Sequence, residues 1–147
     1  MTARLLHEAA GLRTYALVLQ TGDEAMTALA HLAETEALDA AQITGIGAFE
    51  KAVIRYFDWN AKTYRDIPVD EQVEVASLLG DISLGPDGKR QVHVHLVLGR
   101  RDGSALAGHL KSGTVRPTLE LIVTDSPAHL RRRHDPESGL ALIELPE

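Results

Sequence analysis

Gln91–Leu110 reads QVHVHLVLGRRDGSALAGHL, and its periodicity decides how the chain is laid out. Val92, Val94, Leu96 and Leu98 alternate with Gln91, His93, His95 and Val97, the two-residue period of a strand with one face on a core. The same period puts His93 and His95 on one face. Gly99-Arg100-Arg101-Asp102-Gly103 then combines two glycines with an Asp-Gly pair, the signature of a tight reversal. The chain returns through Ser104-Ala105-Leu106-Ala107 and, after Gly108, brings a third imidazole, His109, back toward the first two.

Working outward, Gly85-Pro86-Asp87-Gly88-Lys89 is a strong turn that joins this strand to Val73–Leu84. The two are therefore expected as antiparallel neighbours, with a bend at Gly80. Farther back, Ile43–Tyr56 runs through Gly45 and Gly47, which in a strand mark a bulge or a close backbone approach. Asp58–Ala61 reads as a turn and Lys62–Ile67 as the returning strand. Thr14–Gln20 alternates as a strand, and Thr21-Gly22-Asp23-Glu24 has the form of a capping box with Thr21 as N-cap. Behind it Met26, Leu29, Ala30, Ala33 and Ala37 recur at helical spacing, predicting a helix of about ten to sixteen residues. Leu5, Leu6 and Leu12 make residues 1–13 a packed arm. Downstream, Thr118–Thr124 follows Pro117 as a strand, and Ser126-Pro127 opens a short helix to about Arg133. Leu140–Leu145 closes the chain as a strand. About seven strands with two segregated helices predict one α+β domain over residues 1–147, built on a largely antiparallel sheet.

Bulk properties agree with one soluble domain: 147 residues, 44% hydrophobic and 24% charged. Aromatics are only 4%, so the core must be aliphatic. No stretch approaches the roughly 20 apolar residues that span a bilayer, and Met1–Gly11 lacks a signal-peptide run. No membrane association and a cytoplasmic location are expected. With no cysteine, neither disulfides nor thiolate ligands can form, which leaves imidazoles and carboxylates for any metal. Net charge is −6, against the basic balance of a phosphate-gripping domain. The one basic cluster, Arg131-Arg132-Arg133 beside His129 and His134, reads as capping the C-terminal end of its short helix.

The histidines carry the sharpest chemistry. Zinc is commonly bound by imidazole nitrogens, and three protein ligands leave a position for water or a small ligand. The residues alone keep two readings open: metal ligands, or histidines hydrogen-bonded on a solvated sheet face. A cupin-type site is excluded, because its His-x-His is followed by a glutamate a few residues on, and Val97-Leu98-Gly99-Arg100 offers none. Glu74 and Glu120 lie on predicted strands, either as acid/base partners of the histidines or simply solvated. Lys111 is either an anion contact or an exposed lysine. No Gly-x-Ser-x-Gly, P-loop or dinucleotide fingerprint is present.

Taken together, Ile46-Gly47-Ala48-Phe49, Val73–Ile82, His93-Val94-His95, Asp102-Gly103, Gly108-His109-Leu110 and Pro117-Thr118-Leu119-Glu120 occur in an order and spacing that resembles a known family. The chain is similar, from about Arg13 to Leu145, to the plant-and-prokaryote conserved (PPC) domain, found behind AT-hooks in plant nuclear proteins and standing alone in bacteria and archaea. The resemblance implies an α+β homotrimer whose prokaryotic members can hold a metal, zinc first, on histidines matching His93, His95 and His109. One departure is visible: the family tends to have two glycines before the third histidine, where this chain has Ala107-Gly108. There is no AT-hook, so a DNA role would have to act through the trimer surface. Three expectations follow, in order: a zinc-binding homotrimer of unassigned role, a DNA-associated regulator, and an enzyme using zinc to activate water.

Overall fold

The computed structural model describes residues 1–145. Among these residues are nine strands and one helix: β1 (Thr2–Ala9), β2 (Leu12–Gln20), α1 (Ala25–Thr35), β3 (Ala40–Asp58), β4 (Thr63–Val69), β5 (Val73–Leu84), β6 (Arg90–Gly99), β7 (Ala105–Asp125), β8 (Arg131–His134) and β9 (Ala141–Glu144). The expected α+β architecture and antiparallel sheet are found, with two more strands and one fewer helix than the sequence predicts.

All strands belong to one sheet in the order β1-β2-β7-β3-β5-β8-β9, with β4 beside β3 and β6 between β5 and β7. Because β6 pairs with both β5 and β7, the strands β3, β5, β6 and β7 close into a ring. The 19-residue β3 and the 21-residue β7 make this closure: they pair from Ala41↔Asp125 to Arg55↔His109, through several register shifts. Gly47 lies at one of those shifts. A Cβ there would run into the Thr118 carbonyl and the Leu119 backbone, so glycine is required by the close approach of β3 to β7.

The core forms as alternation predicts and is largely aliphatic, with Tyr15 and Phe49 buried in it. Tyr15, Leu17 and Leu19 of β2, Ile43 and Ile54 of β3, Leu119, Leu121 and Val123 of β7, and Val94, Leu96 and Leu98 of β6 are buried. Helix α1 covers part of this layer with Ala25, Ala28, Leu29, Leu32 and Ala33, and each leucine buried there contributes about 1.5–3 kcal/mol. The N-cap of α1 is Glu24, not Thr21: Glu24 Oε1 and Oε2 accept from Met26 N and Thr27 N at 3.2 and 2.7 Å, and Thr21 Oγ1 instead reaches the Pro117 carbonyl. The helix ends at Thr35 in a Schellman pattern, Leu38 N donating to Ala33 O at 2.9 Å, with Ala37 at φ 51° where glycine is usual. Arg13 closes this end, donating to Glu36 O at 2.8 Å and pairing with the buried Asp125 at 2.6 Å.

Two further expectations fail. Residues 1–13 are not a packed arm but an exposed β1–β2 hairpin, with Leu5 44% and Leu6 55% exposed. The expected helix from Ser126 to Arg133 is absent. Arg131–His134 is β8, pairing antiparallel with β9 and, at Leu84↔Arg131, parallel with β5. Strand pairing to partners remote in sequence outweighs the local Ser-Pro helix signal. The arginines therefore cap no helix end.

Candidate metal centre

Counting outward from the Gly85–Lys89 turn pairs Leu84 with Arg90, and hence Asp81 with His93 and Leu79 with His95. On its other edge β6 pairs with β7, which sets His109 directly opposite His95. Cross-strand partners share a face, so His93, His95, His109 and Asp81 all project from the side of the ring away from the core. His109 does not arrive on a loop. It sits inside β7, between His95 and Arg55. Gly108 lets the strands come this close, since a Cβ there would lie 2.8 Å from the Arg55 carbonyl. Ala107 is not among the residues with positive φ, so alanine in place of a second glycine strains nothing.

One ring nitrogen from each of His93, His95 and His109 lies within 4.8 Å of the others. The rings are 4.9–5.3 Å apart between centroids. His93 Nε2 and His95 Nε2 are 3.1 Å apart, near the roughly 3.3 Å edge of a tetrahedron of nitrogens around zinc. Two such nitrogens tolerate this spacing when a proton or a cation lies between their lone pairs. His109 Nδ1 is buried and has no hydrogen-bond partner among the described residues. Burial, then the neighbouring His93 and His95, push the His109 imidazole down to about 4; burial and then His93 lower His95 as well. At neutral pH both are uncharged, as ligands must be. The donor set is thus all-imidazole and converging, which fits a borderline-soft divalent metal.

Behind His93 lies a polar tier that sequence reasoning missed. Asp81 Oδ2 is 3.3 Å from His93 Nδ1. Arg132, only 8% exposed, donates from Nη2 to Asp81 Oδ1 at 2.7 Å, from Nε to Ser83 Oγ at 2.8 Å and from Nη1 to the Ala141 carbonyl at 2.9 Å. Burial would raise the Asp81 carboxyl, but hydrogen bonds from His93 and Arg132 and their charges outweigh it and hold the group below its ordinary value. Counting from the turn would have set Asp81 opposite His93, whereas the arginine triplet marked Arg132 only as a helix cap. Tyr64, also missed, stacks beside His109 at 5.0 Å under the Arg55 guanidinium. A cleft of about 350 Å³ opens over His93 and His109, walled by Tyr64, Val92, Arg132, Leu140 and Leu142.

The other candidates lie apart. Glu74 and Glu120 line a separate pocket of about 500 Å³ with Ile46, Gly47 and Thr118, and face none of the histidines. Lys111 is spent in an ion pair with Asp66 at 2.6 Å. Of the arginine triplet, Arg132 turns inward, and Arg133 pairs with Glu144 at the surface.

A family model, the Plants and Prokaryotes Conserved (PCC) domain, matches residues 6–127. A plant- and prokaryote-conserved protein of Pyrococcus horikoshii is 31% identical with a TM-score of 0.84, covering 99% of this chain and 96% of that one. A metal-containing protein of Archaeoglobus fulgidus is 33% identical, TM-score 0.82, covering 90% and 93%. A supposed DNA-binding protein of Bacteroides thetaiotaomicron is 28% identical, TM-score 0.85, covering 97% and 96%. Among curated proteins, the bifunctional protein GlmU of Synechococcus sp. (strain JA-3-3Ab) is 31% identical over 137 residues; these are 91% of this chain, which spans only 21% of that protein.

Proposed function

The chain belongs to the Plants and Prokaryotes Conserved domain family, and on that footing we propose that it is a zinc-binding homotrimer whose protein ligands are His93, His95 and His109. The observation that carries this reading is the convergence of three ring nitrogens within 4.8 Å. The lowered basicity of His109 and His95 supports it, as does the metal-containing relative. When bound, zinc supplies a Lewis acid with an open position for water or a small ligand. The chain's own residues shape that position: Leu140 and Leu142 make one wall apolar, and Tyr64 buttresses His109. A cytoplasmic location goes with this reading.

The decisive experiment is metal analysis of protein made without a polyhistidine tag, incubated with zinc and dialysed. About one zinc per chain is expected for wild type, and loss of stoichiometric uptake for His109→Ala. Equal uptake by the two proteins, or none by wild type, sinks the reading. The trimer draws support from apolar side chains on the face away from α1: Val18, Ile46, Leu79 and Ile122 are 39%, 62%, 57% and 43% exposed. Light scattering should give three times the 15.9 kDa chain mass; a monomer at tens of micromolar would count against it.

The DNA-associated reading draws on the Bacteroides relative. It finds little electrostatic footing here, with net charge −6 and Arg132 and Arg133 both engaged. Absence of any duplex shift at low salt would remove it.

A further inference from the structure

We propose that Asp81, clamped by Arg132 and Ser83, is the positioning carboxylate that holds His93 in the one tautomer able to bind a metal through Nε2. The proposal rests on the zinc reading above and adds the group that prepares the site for it.

The tautomer of His93 is contested. Its Nδ1 lies 3.3 Å from Asp81 Oδ2 and also 3.3 Å from Arg132 Nη2. Two hydrogen-bond patterns close in the absence of metal. In one, Arg132 donates to a bare Nδ1, and His93 carries its proton on Nε2, donating it to His95 Nε2 at 3.1 Å. In the other, Nδ1–H donates to Asp81, and Nε2 is left as the acceptor. Only the second leaves Nε2 a lone pair for an ion. A guanidinium has no acceptor, so Arg132 cannot satisfy an Nδ1–H. Among the described residues Asp81 is the one acceptor placed to do so.

The clamp favours the second pattern. Arg132 Nη2 already spends a short bond, 2.7 Å, on Asp81 Oδ1. Ser83 Oγ, which accepts from Arg132 Nε at 2.8 Å, lies 3.2 Å from that same Oδ1 and donates to it. Both partners thus converge on Oδ1 and leave Oδ2 for the imidazole. A charge-assisted N–H to an ionised carboxylate is roughly twice as strong as its neutral counterpart. Metal-bound imidazoles generally donate their second nitrogen to such a group, and its loss typically weakens metal binding 10–100-fold. Arg132 comes from β8, beyond the end of the family match at residue 127. The C-terminal hairpin that walls the cleft therefore also fixes a ligand of the centre.

The test uses the full chain, as wild type, Asp81→Ala and Asp81→Asn. Zinc affinity is read by competition with a chromophoric chelator, and the His93 tautomer by nitrogen NMR of the metal-free protein at pH 8. Wild type should show His93 protonated on Nδ1. Asp81→Ala should shift it toward the Nε2–H form and weaken zinc 10–100-fold; Asp81→Asn, whose amide oxygen still accepts, should lose less. If the alanine variant does not fold, the asparagine variant carries the same two readouts. Equal affinity in all three proteins, or a His93 tautomer indifferent to Asp81, overturns the positioning role while leaving the zinc reading intact. Failure of wild type itself to take zinc overturns both.

Discussion

Asp81 and Glu74 stand on the same strand, β5, and a bulge between Val75 and Ser77 puts both on its outer face. Glu120 shares that face on β7, opposite Ile46. One of these carboxylates is held and two are merely displayed. Asp81 has bonds to Arg132, Ser83 and His93, and its side chain is only 25% exposed. Glu74 and Glu120 are exposed, and neither has an ion pair or side-chain hydrogen bond among the described residues. The larger cavity lies beside the displayed pair. What separates a candidate site from a dimple is therefore the tier of groups behind its first row, not volume or the count of acidic residues.

The strongest way to break this contrast is Arg132→Ala. It removes the partner of a half-buried carboxylate and should lower stability by about 3 kcal/mol. Arg133→Ala, whose ion pair with Glu144 is exposed, should cost close to nothing. Chemical denaturation of both variants reads the difference, and similar midpoints would erase it.

A middle case sharpens it. Glu24 is held like Asp81 but far from any site, accepting from Met26 N, Thr27 N and Gly113 N. Glu24→Ala should cost about 1 kcal/mol in a denaturant melt, the usual price of a lost N-cap. Burial pushes the Glu24 carboxyl up, yet bonds from Thr27, Gly113 and Met26 bring it below its ordinary value. Its contribution is therefore present above the unfolded-state carboxylate value and fades as pH falls through the lower folded one. Glu24→Gln should flatten the acid limb of stability against pH; an unchanged limb would assign that acid loss to other groups.

The smallest expected effect is on the displayed pair. The double variant Glu74→Gln/Glu120→Gln should leave the melting temperature and zinc content as in wild type. A fall in zinc content would join the two regions that the structure keeps apart.

Much of this was legible in the sequence because it is local. Alternation in Gln91–Leu98 and the Gly85–Lys89 turn are enough to pair β5 with β6 and to set His93 and His95 on one face. Gly45 and Gly47 flagged the irregular stretch where the register of β3 does shift. The misreadings involve partners remote in the chain. Arg131-Arg132-Arg133-His134 has no alternation to betray a strand, and becomes one through β9 and a single bridge to Leu84. Thr21 looked like the cap because Ser/Thr-x-x-Glu is a strong local signal, but Glu24 also reaches Gly113 of β7, 89 positions away, and takes the cap itself. For the same reason the second tier of the centre was invisible: Arg132 meets Asp81 across 51 positions.

The separation in sequence between the two tiers also orders them in time. The three imidazoles and Asp81 belong to consecutive hairpins, with Asp81 only 12 positions from His93. Closing such short loops takes far less chain entropy than closing the ring through Ala41↔Asp125 or docking the last hairpin through Arg132. The three imidazoles can thus come together on a nascent β5–β6–β7 meander, while Arg132 reaches Asp81 only when the β8–β9 hairpin docks. Until that hairpin docks, Asp81 faces His93 without the guanidinium that holds it, and docking is the step that tightens the cluster.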